Sequence, residues 1–231
     1  FMNARAMFKK NFSVIMTFLI AIALFAVISV MRPGYANVNN IRVLCITASF
    51  LGLTAMGQMA AILTGGMDLS IPWMFTIAAF LTASLTKGED GRLFYAIPVV
   101  LLVGVLMGAF NGFGIAYVGI APVIMTMASN IIFQGLLVGL TGGTPGGTAP
   151  KALKSFANGS VGPVSAALIF WIIVSAVFYI LIARSPYGRK LYAIGNSDTV
   201  AIFSGINVKL TRASAYMICG FFAALAGILY S

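Results

Sequence analysis

The sequence contains no histidine, two cysteines, and four acidic residues against fourteen basic ones. Each scarcity excludes something. Without histidine the commonest general base is missing, which argues against an enzyme. Cys45 and Cys219 each lie inside an apolar run, so neither a disulfide framework nor a Cys/His zinc site is available. No Gly-x-x-x-x-Gly-Lys-Ser/Thr phosphate loop occurs, so ATP hydrolysis through that motif is not a property of this chain. Lys and Arg fall in loops and at the ends of apolar runs rather than on a soluble basic face. Membrane lipid, not nucleic acid, is therefore the expected surface partner.

Apolar residues make up 61% of the chain, the profile of an integral membrane protein. Several runs reach the roughly 20 residues that cross a bilayer as helix. Helices are expected over residues 12–31, 41–63, 70–86, 93–114, 121–140 and 164–183, and from 213 to the last residue. The predicted fold is all-α: a polytopic transmembrane helical bundle of about seven helices, treated as one domain over 1–231. Arg5, Lys9 and Lys10 precede the first run and place the N-terminus in the cytoplasm by the positive-inside bias. Six crossings then bring the interval from Arg184 to Arg212 to the same side. It carries Arg184, Arg189, Lys190, Lys209 and Arg212 against one acid, Asp198. Residues 141–163, rich in Gly, Pro and Ser, form the long outer loop.

That basic interval has its own structure. Asn196, Ser197 and Asp198 can each cap a helix start, and Gly205 is placed to end it. Val200, Ile202 and Phe203 are the apolar residues between. About two turns are too few to stand alone, so the segment either packs on its own domain or docks into the groove of a cytosolic partner. Within the apolar runs, Gln58, Asp68, Asn111 and Gln134 are the candidate pathway or gate residues. Asp68 reads either as a cap on the helix that follows or as a functional intramembrane charge. Asn111 and Gln134 either bond across helices or line a path. Gly104 and Gly108 have a spacing that permits close helix contact. Trp73, Tyr95 and Trp171 sit where interfacial anchors do.

Two blocks resemble a known family. Ala193-Ile194-Gly195-Asn196-Ser197-Asp198, followed by Ser204-Gly205-Ile206-Asn207-Val208, Tyr216 and Gly220 to Gly227, is similar to the permease subunit of monosaccharide ABC importers, of which ribose permeases are the best-known members. Leu63-Thr64-Gly65-Gly66-Met67-Asp68-Leu69-Ser70 resembles that family's GG-x-DLS motif, and Ile71-Pro72-Trp73 departs from the Val-Gly that members often carry next. The resemblance implies a type II importer-like fold in a bacterial inner membrane, with further helices beyond Ser231. It implies that the loop at Gly195, Asn196, Ser197, Asp198, Val200, Phe203, Gly205 and Asn207 holds the helix that meets a cytosolic ATPase. It also implies a second permease copy and a periplasmic sugar-binding protein. This chain would bind no cofactor, ATP and magnesium belonging to the ATPase. A related permease for branched-chain amino acids or nucleosides is the alternative, followed by an ion-coupled secondary transporter, which would need intramembrane acids or broken helices, and last an intramembrane enzyme.

Overall fold

The structure, a computed structural model, describes residues 12–144, 146–161 and 164–231. The basic flank at Arg5, Lys9 and Lys10 lies outside the described residues. The chain divides into two compact units, residues 1–44 and 45–231. The first holds α1 (Phe12–Met31) and the start of α2 (Val38–Ile62). Between them the chain turns at Gly34, whose φ is +92°, and the Asn37 side chain accepts the Asn40 amide at 2.8 Å to open α2.

The second unit continues α2 and adds α3 (Ile71–Thr86), a 3-10 turn at Asp90–Arg92, and α4 (Leu93–Phe113). The last of these runs on as a π-helical turn, Gly114–Val118. Then come α5 (Pro122–Thr141), α6 (Lys151–Asn158), a two-residue antiparallel pair, Ser160–Val161 with Val164–Ser165, α7 (Ala166–Arg184), α8 (Pro186–Asn196), α9 (Asp198–Phe203) and α10 (Val208–Tyr230). Among the described residues six helices are long and apolar enough to cross a membrane: α1, α2, α4 with its flanking turns, α5, α7 and α10. Helix α3, with 16 residues, is shorter.

Three segments are more helical than the sequence suggested. The stretch expected as the outer loop contains α6, which has no local Ser, Thr or Asp cap. Its cap comes from far away in sequence, because the Asp90 carboxylate accepts the Ala152 amide at 2.9 Å. The stretch after α7 is helix α8 rather than loop. Pro186 presets its first turn, the Ser185 hydroxyl accepts the Gly188 amide at 3.1 Å, and Leu191 and Ile194 are buried on its inner face. Helix α10 starts at Val208, earlier than expected, because Asn207 accepts the Leu210 amide at 3.0 Å. The Trp171 ring packs on Gly52 of α2.

Helix α10 is the centre of the second unit. Ala215, Tyr216, Cys219, Ala223, Ala224 and Ala226 are completely buried. Its burial depends on small residues. Gly104 and Gly108 of α4 face Gly220 and Tyr216 of α10 so closely that a Cβ on Gly108 would overlap the Tyr216 carbonyl, and one on Gly220 would overlap the Gly104 carbonyl. Close backbone approach of this kind replaces the hydrophobic drive that is absent between helices in lipid. On its other sides α10 meets Gly57 of α2, and Gly227 meets Phe75 and Ala78 of α3.

The prediction is direct. Gly220→Val must push backbone aside and should cost more than the about 1–3 kcal/mol of ordinary overpacking. Gly135→Val on α5, where a Cβ meets nothing within 4 Å, should change stability by less than about 0.5 kcal/mol. Thermal unfolding of both variants in detergent checks this; equal losses would contradict the packing.

Candidate functional site

The chain between α2 and α3 is not helical, and its residues converge with α4 and α10. Helix α2 ends at Ile62, a turn passes through Gly65 at φ +82°, and an extended run leads to Ser70. This run doubles back along α2. The Asp68 amide donates to the Gln58 side chain at 3.2 Å, four residues before the end of α2 and so about 6 Å deeper. Cys219, whose sulfur lies 3.9 Å from the same Gln58 oxygen, is about 10 Å further along α10 than Arg212. Helix α3 therefore begins alongside the last turns of α2, after a non-helical stretch.

Asp68 is 3% exposed. Its Oδ1 accepts the Ser70 amide at 2.9 Å and the Ser70 hydroxyl at 2.6 Å. The Asn111 amide donates to both carboxylate oxygens, at 3.4 and 3.3 Å, and to the Ser70 hydroxyl at 2.8 Å. Asp68 thus does not cap the first-turn amides of α3. It folds back on Ser70 and is held from α4, in the two-residue spacing that Asp side chains favour. Among the described residues the ion pairs are Arg92–Glu89 and Arg212–Asp198, so the Asp68 carboxylate has hydrogen bonds but no countercation. The Tyr216 hydroxyl and Asn111 Oδ1 are buried without a hydrogen-bond partner among the described residues.

Of the four pathway candidates, the structure brings Gln58, Asp68 and Asn111 together and leaves Gln134 apart, exposed on α5. Ser70, Tyr216 and Cys219 belong to the same cluster and were not singled out as site residues. The two-residue step from Asp68 to Ser70 was a readable signal. The contribution of α10 was not, because nothing in a run of small apolar residues says which helix it faces.

The second constellation, at Gly195–Asn207, lies at the end of the bundle where α2 ends. Ser197 accepts the Val200 amide at 3.4 Å and opens α9, and Gly205, at φ +75°, closes it. Asn196 ends α8, and Asn207 caps α10. Ala201 is buried with Ile194 and Val208. The Arg212 guanidinium bonds Asp198 at 2.6 Å, and Lys209 lies 5.9 Å from the centre of the Tyr117 ring. What remains outward is apolar: Val200, Ile202 and Phe203 are 62%, 60% and 86% exposed. Tyr187 of α8 shares a 2.8 Å hydrogen bond with Ser214 of α10. Burial raises its phenol above the usual value, and the Ser214 contact partly offsets this. Gly195 touches the Leu63 carbonyl so closely that any side chain would overlap it. The surface segment and the helix break are thus in direct contact.

A multi-pass helical membrane protein with a non-helical break leading into a short helix, and a short exposed helix pressed on that break, has the build of a transport permease. The family model described as branched-chain amino acid transport system / permease component matches residues 40–231, and the chain belongs to that family. It is 30% identical over 217 residues to the ribose import permease protein RbsC of Haemophilus influenzae, covering 92% of this chain and 67% of that protein. It is 32% identical to the D-allose transport system permease protein AlsC of Escherichia coli, over 92% and 66%. With the autoinducer 2 import system permease protein LsrC of an Enterobacter species the identity is 29%, over 93% and 62%. The chain spans about two thirds of the length of the curated relatives it matches. No solved structure matches it.

Removing a donor from a buried carboxylate is expensive, about 1.5–3 kcal/mol for each hydrogen bond to a charge. Asn111→Leu should therefore lower the unfolding temperature clearly, whereas adding Asp68→Asn should recover part of the loss. A double-mutant cycle is expected to give a coupling above about 1 kcal/mol. Strict additivity would contradict the assigned contact.

Proposed function

We propose that the chain is the membrane-spanning part of a permease subunit in an ATP-driven importer of a small sugar, residing in a bacterial inner membrane with its N-terminus in the cytoplasm. The observation that carries this reading is α9: a capped, six-residue helix, pinned to α10 by Asp198–Arg212, that leaves Val200, Ile202 and Phe203 to solvent. A short rigid helix with an apolar outer face suits insertion into a groove on a cytosolic partner. That partner is an ATPase, which binds ATP and magnesium and performs the hydrolysis. Its stroke reaches the membrane through Gly195, which rests on Leu63 at the start of the helix break.

Sugar is preferred over amino acid because relatives spanning most of this chain are import permeases for ribose and allose by name. The solute is delivered from outside by a periplasmic binding protein, and a second permease copy completes the pathway. In this arrangement the basic residues around α8 and α9 face the cytoplasm, in line with the positive-inside bias.

Phe203 makes the test clean. At 86% exposed it contributes little to the isolated fold, so Phe203→Ala should leave thermal stability within about 0.5 kcal/mol of the parent. Losing a buried Phe from the interface removes about 1.5–3 kcal/mol and should weaken capture of the ATPase roughly tenfold or more. Transport-coupled ATP hydrolysis falls with it. Undiminished ATPase capture by the folded variant would defeat the docking role.

A further inference from the structure

We propose that the groove between α2 and α3, running from Thr54 to the break at Asp68, is where this permease holds a polyhydroxylated solute within the membrane. The proposal rests on the importer reading above and adds the site of contact. Two cavities share one wall there. The first, about 310 Å³, is lined by Thr54, Gln58, Asp68, Leu69 and Pro72 among others. The second, about 410 Å³, continues past Thr54 and Pro72 to the rings of Phe50, Phe75 and Tyr230.

The wall is mainly apolar but carries polar groups that lipid would leave unsatisfied. Non-helical backbone at membrane depth persists only where protein buries it or where it lines a water-filled space. Residues 66–70 are such backbone. The Leu69 amide and the Asp68 and Leu69 carbonyls make no hydrogen bond with any of the described residues, and Leu69 is 38% exposed. Gln58 uses its carbonyl oxygen to accept the Asp68 amide and the Cys219 thiol, while its NH₂ has no partner among the described residues. Thr54 donates to the Leu51 carbonyl at 2.8 Å and keeps its acceptor capacity. A dry apolar neighbour would strand all of these groups. The occupant must bring donors and acceptors of its own.

The wall also discriminates among solutes. Neither cavity is lined by Lys or Arg, so an amino acid carboxylate would find no charged partner there. Hydroxyls have both donors and acceptors to meet. The C–H faces of a sugar ring have Ile71, Pro72 and the aromatic rings above them. Asp68 acts as a positioning residue: it holds Ser70 and Asn111 and so keeps the break open beside Gln58.

The experiment uses the full-length permease with its ATPase and binding protein in proteoliposomes, in a parent carrying Cys45→Ser. One added cysteine replaces either Ala55, exposed in the first cavity, or Leu136, exposed on α5, while the native Cys219 stays fully buried and serves as the background read in the parent. The probe is a hydrophilic cationic methanethiosulfonate, which reacts only where water lets a thiolate form. The Ala55→Cys variant should react about tenfold faster or more than Leu136→Cys, and its modification should remove uptake. Uptake is read with D-ribose, D-allose and D-galactose. Equal reactivity at the two positions overturns the proposal. So does rapid reaction at position 55 that leaves uptake intact, with the importer reading still standing. A parent that imports none of the three sugars, measured before any modification, overturns the sugar reading and the proposal with it.

Discussion

The structure depends on the backbone contact between α4 and α10. In a bilayer, apolar side chains gain nothing by leaving lipid for one another, so helices associate through close packing and hydrogen bonds. Gly104, Gly108 and Gly220 supply that closeness, and α10 becomes a buried axis. Three consequences follow from its position. Asn111, on the same helix as the glycines, is carried to the start of α3. Tyr216 and Cys219 are placed beside the Gly66 turn and the Gln58 amide. Arg212, in the N-terminal turns of α10, meets Asp198 and fixes α9.

The break before α3 is costly, because it leaves irregular backbone and a carboxylate away from bulk water. Its hydrogen bonds offset part of that cost. Ser70 serves Asp68 twice, Asn111 serves both Asp68 and Ser70, and the Thr126 hydroxyl lies 3.4 Å from the Met67 carbonyl. Contributions come from α2, α4 and α5 as well as from the break itself, so the segment is held from several helices. A movement of α8 at Gly195 bears on the same segment through Leu63. The contact at Gly195 and the groove beside Asp68 are therefore two ends of one short structural link.

Much of this was legible in the sequence, and the exceptions have physical causes. Apolar run length placed the six long apolar helices found among the described residues, and the shorter α3 ends at the expected Thr86. The cap at Ser197 and the stop at Gly205 were readable because they act within a few residues, whereas the Asn207 cap that starts α10 at Val208 was not read. Long-range contacts were invisible. Asp90 caps α6 across 62 residues, and no local pattern announces it. Helix α8 was missed because its polar residues suggested a loop, although Ser185-Pro186 is a helix start. Gln58, Asp68, Asn111 and Gln134 looked alike as polar residues in apolar runs. Only the facing of helices α2, α4 and α5 separates the first three from Gln134, and that facing is set by glycine contacts whose partners a single sequence does not name.

Hydrogen exchange of the permease in lipid nanodiscs tests the account most directly. A rigid seam beside a wet break predicts two extremes at neighbouring depths. Amides of α10 from Ala215 to Leu229 should be among the slowest in the chain, since opening them requires unpacking the glycine contact. The peptide containing Met67 to Ser70 should exchange orders of magnitude faster, led by the unbonded Leu69 amide. Equal and strong protection of both would mean that the break is dry and closed, and would contradict the account at its centre.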